Sequence, residues 1–388
     1  MTVAETREFR RSLSRFELVS LGVGGTIGSG IFVVPGIAAG IGGPASLLGW
    51  LLVGVSASCV AYSLAALLGA APPGTAFAEL FRPAFGARAA AGIATLYLAG
   101  SVFGIATVAS GLGQYLSYFA VPHGPWVEAA TIAAFLIVNL AGIAVSGVTE
   151  DVLTLLKIAA LVAIALALAP FVEAPNLSPG GGVAMPAMLQ VVILVYWPFT
   201  GFEISAIPIA ETRAPEEIPR ALLVVMLLVC GIYLALNVTL MGAVGAASLA
   251  ASPAPVAEAM GRLFTGAGPV VAVIALVTMA SALNAYVVGA SRVLQSLAQA
   301  FGPGALATLS ARGVPGSALI SVCATASALL FVSDRFASLA TAAVLTTLVP
   351  YVALCVAAVR TARSARVSAV ALFGAVSTAA MLVLFLCW

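Results

Sequence analysis

Gly22-Val23-Gly24-Gly25-Thr26-Ile27-Gly28-Ser29-Gly30 is the stretch on which the fold turns. It lies inside a long apolar run, and each of its glycines costs about 1 kcal/mol relative to alanine within a helix. The run is therefore expected to unwind near its middle. A second stretch, Pro198-Phe199-Thr200-Gly201-Phe202-Glu203 followed by Pro208, interrupts the sixth apolar run in the same way, at about 3 kcal/mol for each interior proline. Unwound backbone at membrane depth is tolerated only where it lines a cavity or binds something. Close helix packing through small residues, as in G-x-x-x-G contacts, is the competing reading of the glycines. The placement favours a site, because interruptions in runs one and six divide the first ten runs into two sets of five. That is the arrangement of paired repeats around a central site.

A bilayer is the solvent that composition implies. Of 388 residues, 62% are hydrophobic and 8% charged, outside the range of soluble domains. Eleven apolar runs are read, at about 16 to 40, 44 to 70, 88 to 119, 126 to 146, 151 to 170, 187 to 211, 219 to 247, 267 to 300, 316 to 333, 336 to 359 and 368 to 386. Gly42-Gly43-Pro44, Pro72-Pro73-Gly74, Pro122 to Pro125, Pro175 through Gly182 and Gly302-Pro303-Gly304 mark stops between them. The expected fold class is all-α integral membrane, with about eleven transmembrane helices of which helices 1 and 6 are broken. Its expected organisation is a tail over 1-15, a first five-helix repeat over 16-170, a second over 187-359 and an additional helix over 368-386. The strict alternation of a transmembrane β-barrel strand is absent. The first run follows an Arg-rich tail and is too long, without an A-x-A-like cleavage site, for a removable signal peptide.

Basic residues set the expected orientation. With the N-terminus in the cytoplasm, Arg7, Arg10, Arg11, Arg15, Arg82, Arg88, Arg213, Arg220, Arg292, Arg312, Arg360, Arg363 and Arg366 fall inside, and only Arg262 and Arg335 outside. The positive-inside rule favours that topology in a cell membrane, and eleven spans then put Trp388 outside.

Other functions lack their signatures. A net charge of +2 from scattered basic residues gives no nucleic-acid surface. The cysteines Cys59, Cys230, Cys323, Cys355 and Cys387 lie in apolar segments without C-x-x-C spacing, and the single histidine, His123, is in a turn-like stretch, so no metal site or other cofactor is expected. No Walker A lysine is present for an ATP-driven pump, and no G-x-S-x-G or H-E-x-x-H for a membrane enzyme. Midspan breaks also occur in channel filters, but those repeat around a symmetry axis, whereas here there is one break per half.

Gly25-Thr26-Ile27-Gly28-Ser29-Gly30-Ile31-Phe32 resembles the G-x-I-G-S-G-I-F signature in the first helix of the amino acid, polyamine and organocation (APC) superfamily. Phe199-Thr200-Gly201-Phe202-Glu203, with Glu211-Thr212-Arg213-Ala214-Pro215 and Ile218-Pro219-Arg220-Ala221 after it, resembles that family's sixth helix and following cytoplasmic loop. Ser281-Ala282-Leu283-Asn284-Ala285-Tyr286 extends the resemblance into the eighth run, so that it covers roughly residues 12 to 360. The resemblance implies a five-plus-five inverted-repeat, LeuT-like bundle that carries amino acids by alternating access around a midplane site. Amino acid export and amino acid/polyamine antiport are the alternatives. The family usually has twelve helices, and eleven are read here.

The two motifs make chemical sense for such a substrate. An amino acid zwitterion in a bilayer needs a partner for each charge. The amides around Gly28, Ser29 and Gly30 open a half-helix N-terminus that attracts a carboxylate, while freed carbonyls near Thr26, Ile27, Trp197 and Thr200 accept ammonium protons. The resemblance implies that the substrate's side chain faces the third, sixth and eighth helices. A pocket of Thr26, Phe199, Thr200, Phe202, Ser281, Asn284 and Tyr286 suits a neutral or weakly polar side chain. Trp197 matches a tryptophan that caps the substrate in the acid-resistance amino acid exchangers, which implies a gate; an interfacial or packing role is the alternative. Glu203 has three readings: pairing with a cation or capping freed amides, tuning selectivity, or titrating in the transport cycle.

Lys157, the only lysine, lies about seven residues past Glu150 and so roughly 10 Å into the fifth helix. It could snorkel to the interface. Against that, every other basic residue is arginine, and lysine alone shifts its pKa readily when desolvated. Resemblance to sodium-independent APC carriers implies that Lys157 stands beside the broken first helix in place of sodium. Transport is then expected to be sodium-independent, by proton coupling or exchange, with protons as a possible partner.

Overall fold

The structure is a computed structural model that describes residues 15–72, 75–142, 147–178, 182–206, 217–300, 302, 304–310 and 313–387. The helices, in chain order, are α1 (Arg15–Thr26), α2 (Ser29–Gly42), α3 (Ser46–Ala70), α4 (Arg82–Phe85), α5 (Ala87–Ser117), α6 (Pro125–Leu140), α7 (Gly147–Leu168), α8 (Ala174–Leu177), α9 (Met185–Tyr196), α10 (Ile218–Ala250), α11 (Pro255–Leu263), α12 (Ala267–Ala300), α13 (Gly316–Val332), α14 (Phe336–Thr361) and α15 (Ala365–Cys387). Among the described residues, eight stretches are long and apolar enough to cross a membrane. The first, Gly22–Ala70, holds two of the expected runs, and the shorter apolar helices Pro125–Leu140 and Gly316–Val332 complete the eleven.

Local chemistry sets the boundaries. Proline occupies one of the first two helical positions of α6, α9, α10 and α11, where its missing N–H costs nothing because that donor has no intrahelical partner. The fourth run was read to residue 146, whereas α6 ends at Leu140, followed by Gly142 at φ +70°. Gly245, with φ 74°, kinks α10. Helix α11, not among the expected runs, leads into α12 and packs on it and on α2.

The helices pack in two groups. One comprises α1, α2, α3, α9 and α10, and the other α5, α6, α12 and α13; α7 lies against α1, α10 and α12, and α14 against α5 and α3. Helix α15 packs on α3, α9 and α14. There the Ser56 hydroxyl of α3 lies 2.9 Å from Ser377 and 3.1 Å from Thr378 of α15, and 3.4 Å from the Tyr196 hydroxyl of α9.

Both interruptions are present. Helix α1 ends at Thr26, the amide of Ile27 still bonds Val23 at 2.7 Å, and Gly28 turns away from helical geometry (φ −134°, ψ −139°) before α2 begins. Helix α9 ends at Tyr196; one 3-10 turn, Trp197–Phe199, and another, Phe202–Ala206, flank extended Thr200 and left-handed Gly201 (φ +97°). The breaks touch backbone to backbone: a Cβ on Gly201 would lie 2.5 Å from the Gly25 carbonyl oxygen, and one on Gly25 2.9 Å from that of Gly201. Small-residue packing and unwinding, posed as alternatives from sequence, thus occur together. Pro208 and residues 211 to 215 lie outside the described residues.

Candidate functional site

The N-terminal end of α2 lacks a side-chain cap. Its cap, Gly28, offers no side-chain oxygen, and its first turn holds no acidic residue, so the orphan amides from Ser29 onward keep their partial positive charge. Ser29 is fully buried, and its hydroxyl accepts a 3.3 Å bond from the Trp197 indole. Trp197 lies on the Tyr286 ring of α12, with centroids 5.7 Å apart, and the Tyr286 hydroxyl is 3.1 Å from Thr200 Oγ1. Gly104 of α5 faces this pair; a Cβ there would be 2.8 Å from Tyr286 and 3.3 Å from Trp197. Trp197, Thr200 and Tyr286 therefore form one closed ring of contacts at the two breaks, to which Ser29 is joined through Trp197.

The freed carbonyls are partly engaged. Thr26 accepts a 3.0 Å bond from the Tyr233 hydroxyl of α10, and Trp197 accepts from Thr200 Oγ1 at 2.8 Å. The Thr26 carbonyl keeps a second lone pair for an incoming ammonium, whereas that of Trp197 also accepts the Thr200 amide at 3.1 Å and is filled. The Thr26 hydroxyl itself turns back to Gly22, at 2.6 Å.

Two ionisable side chains flank the ring. Lys157 is 1% exposed; its Nζ donates to Ser281 Oγ of α12 at 2.8 Å and to the Gly24 carbonyl of α1 at 3.3 Å. Its stem points across the bundle rather than toward an interface. Glu203, 2% exposed, accepts from Tyr97 of α5 at 3.0 Å, from Tyr351 of α14 at 2.8 Å and from the amide of Gly201 at 3.2 Å. Those donors are neutral: the Gly201 contact matches amide capping, and among the described residues no cation pairs with Glu203.

Not every expected pocket residue joins the ring. Asn284 is half-buried and accepts a 2.8 Å bond from Asn139 of α6. Two positions on a helix differ by about 200°, so Asn284 and Tyr286 cannot share a face, and Asn284 turns to α6. Phe199 packs on Trp50 and Tyr233, with centroids 5.9 and 5.2 Å away, and Phe202 on Tyr351 at 5.5 Å. Ile27, Gly28 and Gly30 are buried in the first break, where a Cβ on Gly28 would meet Ala282 and one on Gly30 would meet Pro198. Tyr97, Tyr233 and Tyr351 are site residues that sequence reasoning missed. A buried carboxylate requires donors, which was the available signal, but nothing in one sequence says which tyrosines supply them.

Comparison with known proteins follows the same lines. The model of a family described as amino acid permease matches residues 13–387. The chain is 24% identical over 242 residues to the uncharacterized amino acid permease YecA of Bacillus subtilis (strain 168), covering 61% of this chain and 56% of that protein. It is 28% identical over 303 residues to the L-methionine/branched-chain amino acid exporter YjeH of Escherichia coli (strain K12), covering 76% of this chain and 72% of the exporter. The crystal structure of MhsT in complex with L-phenylalanine superposes with a TM-score of 0.70 at 15% identity, over 98% of this chain and 99% of the other. The fold is thereby the LeuT-like, five-plus-five membrane bundle with broken helices 1 and 6. The chain belongs to the amino acid permease family.

Proposed function

We propose that this permease is a sodium-independent secondary carrier of neutral amino acids, working by proton coupling or exchange. Amino acid transport itself follows from the family. The observation that carries the finer reading is the Lys157 ammonium, which bridges the Gly24 carbonyl of broken helix 1 to Ser281 of the eighth span. A fixed cation there takes the place of a bound metal ion as the link between these elements, and a lysine can release its proton during the cycle.

A substrate carboxylate would sit on the amide end of α2 and its ammonium on the Thr26 carbonyl. Trp197, tied to Ser29, closes over them as the gate, and alternating access moves the α1–α2 and α9 breaks around this point. Neutral side chains fit best: Glu203 and Lys157 are already engaged by protein groups, and the ring is otherwise hydroxyl and aromatic. The similarity to an exporter of methionine and branched-chain amino acids supports the same class. The repeats run over 16-170 and 187-359, with the N-terminus in the cytoplasm. Purified protein in liposomes under imposed sodium or proton gradients tests the reading: saturable uptake of labelled leucine or methionine, driven by a proton gradient or by counter-substrate, is expected. Stimulation by sodium alone, or ohmic current without saturable uptake, refutes it.

A further inference from the structure

Between α3 and α5 the chain runs through a 3-10 turn, Phe77–Phe81, and directly into α4. A connection between two membrane spans has no need to bury aromatic residues. Here Phe77, Leu80 and Phe81 are 5%, 5% and 0% exposed, and they pack against α5, α12 and α14. The Phe77 ring lies 4.7 Å from that of Tyr97 and 5.5 Å from Phe81. Tyr97 is the α5 side chain that donates to Glu203. One face of the segment therefore braces a partner of the buried carboxylate.

The other end of the segment is tied down. Arg360, in the last turn of α14, donates to the Ala84 carbonyl at 2.7 Å and sets its guanidinium 5.1 Å from the centre of the Phe85 ring. The Ala84 carbonyl is one of the orphan acceptors at the end of α4, and Gly86 (φ +79°) turns the chain into α5 immediately afterwards. A single arginine thus joins α14, which carries Tyr351, to the segment that braces Tyr97. Both tyrosines that hold Glu203 are reached from this one clamp.

We infer that Phe77 is a positioning residue for Glu203, and that the segment from Phe77 to Phe85 is a lid over this end of the site, strapped by Arg360. Tyr97 and Tyr351 reach Glu203 from α5 and α14, and the strap and the buried aromatic residues oppose separation of these two helices. Arginine suits the strap because one planar guanidinium both donates to a carbonyl and lies on a ring; a lysine ammonium is a compact point charge and does not do both. An exposed contact of this kind shifts a two-state equilibrium by about fivefold. The inference goes beyond the carrier reading, since the lid can be measured without transport.

The test is hydrogen–deuterium exchange by mass spectrometry on purified full-length protein, following peptides over residues 75–86, for the wild type, Arg360→Gln, Arg360→Lys and Phe77→Ala. Arg360→Gln is expected to raise exchange in that segment about fivefold, with α6 and α13 unchanged, and Arg360→Lys to restore less than half of the protection. In liposomes, Arg360→Gln is expected to raise the half-saturating substrate concentration on one face of the membrane about fivefold while maximal rate stays within twofold. Phe77→Ala is expected to raise exchange over residues 75–86 about fivefold as well, and the double variant to exchange no faster than either single one. Unchanged exchange over 75–86 in Arg360→Gln, full rescue by lysine, or additive effects in the double variant overturns the inference. Absence of any amino acid uptake in the wild type, with the exchange result intact, sinks the carrier reading alone.

Discussion

Replacing Lys157 with alanine is the most informative single perturbation. The ammonium makes a 2.8 Å bond to Ser281 and a longer one, 3.3 Å, to the Gly24 carbonyl. Hydrogen bonds to a charged group contribute about 1.5–3 kcal/mol each, and with the second bond long the junction of α1, α7 and α12 is weakened by roughly 2–4 kcal/mol in total. At a factor of ten for every 1.4 kcal/mol, the arrangement in which α1 and α12 are held together loses roughly thirty- to several-hundred-fold in population relative to its open alternatives. The folded state as a whole does not lose that energy, because truncation also removes the desolvation cost of a buried charge. Uptake at subsaturating substrate should fall at least about thirtyfold, with monodisperse protein and a thermal midpoint within a few degrees of the wild type. Lys157→Arg should not restore it, since a guanidinium does not release its proton. The assay is labelled leucine uptake into liposomes with sodium and proton gradients imposed separately. Full activity in Lys157→Ala, or in Lys157→Arg, refutes the assignment.

Trp197→Leu removes the indole donor to Ser29 and the ring on Tyr286, and should speed substrate release about tenfold or more in a stopped-flow binding assay; unchanged kinetics would leave Trp197 as packing. Glu203→Gln keeps the shape but turns an acceptor toward Tyr97 and Tyr351 into a mixed group; transport should fall more than binding measured by thermal shift, and an equal loss of both would assign the carboxylate to binding or folding. Gly201→Ala should cost more than about 2 kcal/mol, because it pairs a left-handed backbone with a Cβ 2.5 Å from the Gly25 oxygen; wild-type expression and melting would contradict the close approach of the two breaks. A cysteine probe beside Arg335 should react with an impermeant maleimide from outside the cell and one beside Arg360 or Arg213 should not, and the reverse would invert the topology.

Much of the bundle was readable because bilayer hydropathy is a coarse signal with few alternatives. The breaks were readable because glycine and proline act locally: Gly28 and Gly201 weaken the helix and permit backbone turns that other residues resist. Lys157 stood out as one lysine among arginines. What failed to be legible was long-range geometry. Tyr97 and Tyr351 are ordinary aromatic residues in apolar runs until Glu203 is placed between them, 106 and 148 residues away respectively. Asn284 sits two positions from Tyr286, and only helical phase, invisible until α6 is positioned, turns it to Asn139. Helix α4 is too short to carry a periodic signal, whereas α11 does separate a buried apolar face from Glu258 and Arg262 and was passed over because hydropathy alone set the runs.

The hydroxyl cluster of α15 bears on how the protein is made. Ser56 reaches partners 321 and 322 residues later in the chain. At about 5–20 residues per second of synthesis, its helix waits some tens of seconds in the insertion machinery before those partners exist. During that interval a serine hydroxyl can bond back to its own helix, as Ser58 does to Gly54 and Ser63 to Cys59 at 2.7 Å. The contacts that tie α3 to α15 therefore form late in synthesis, after the spans between them have been made.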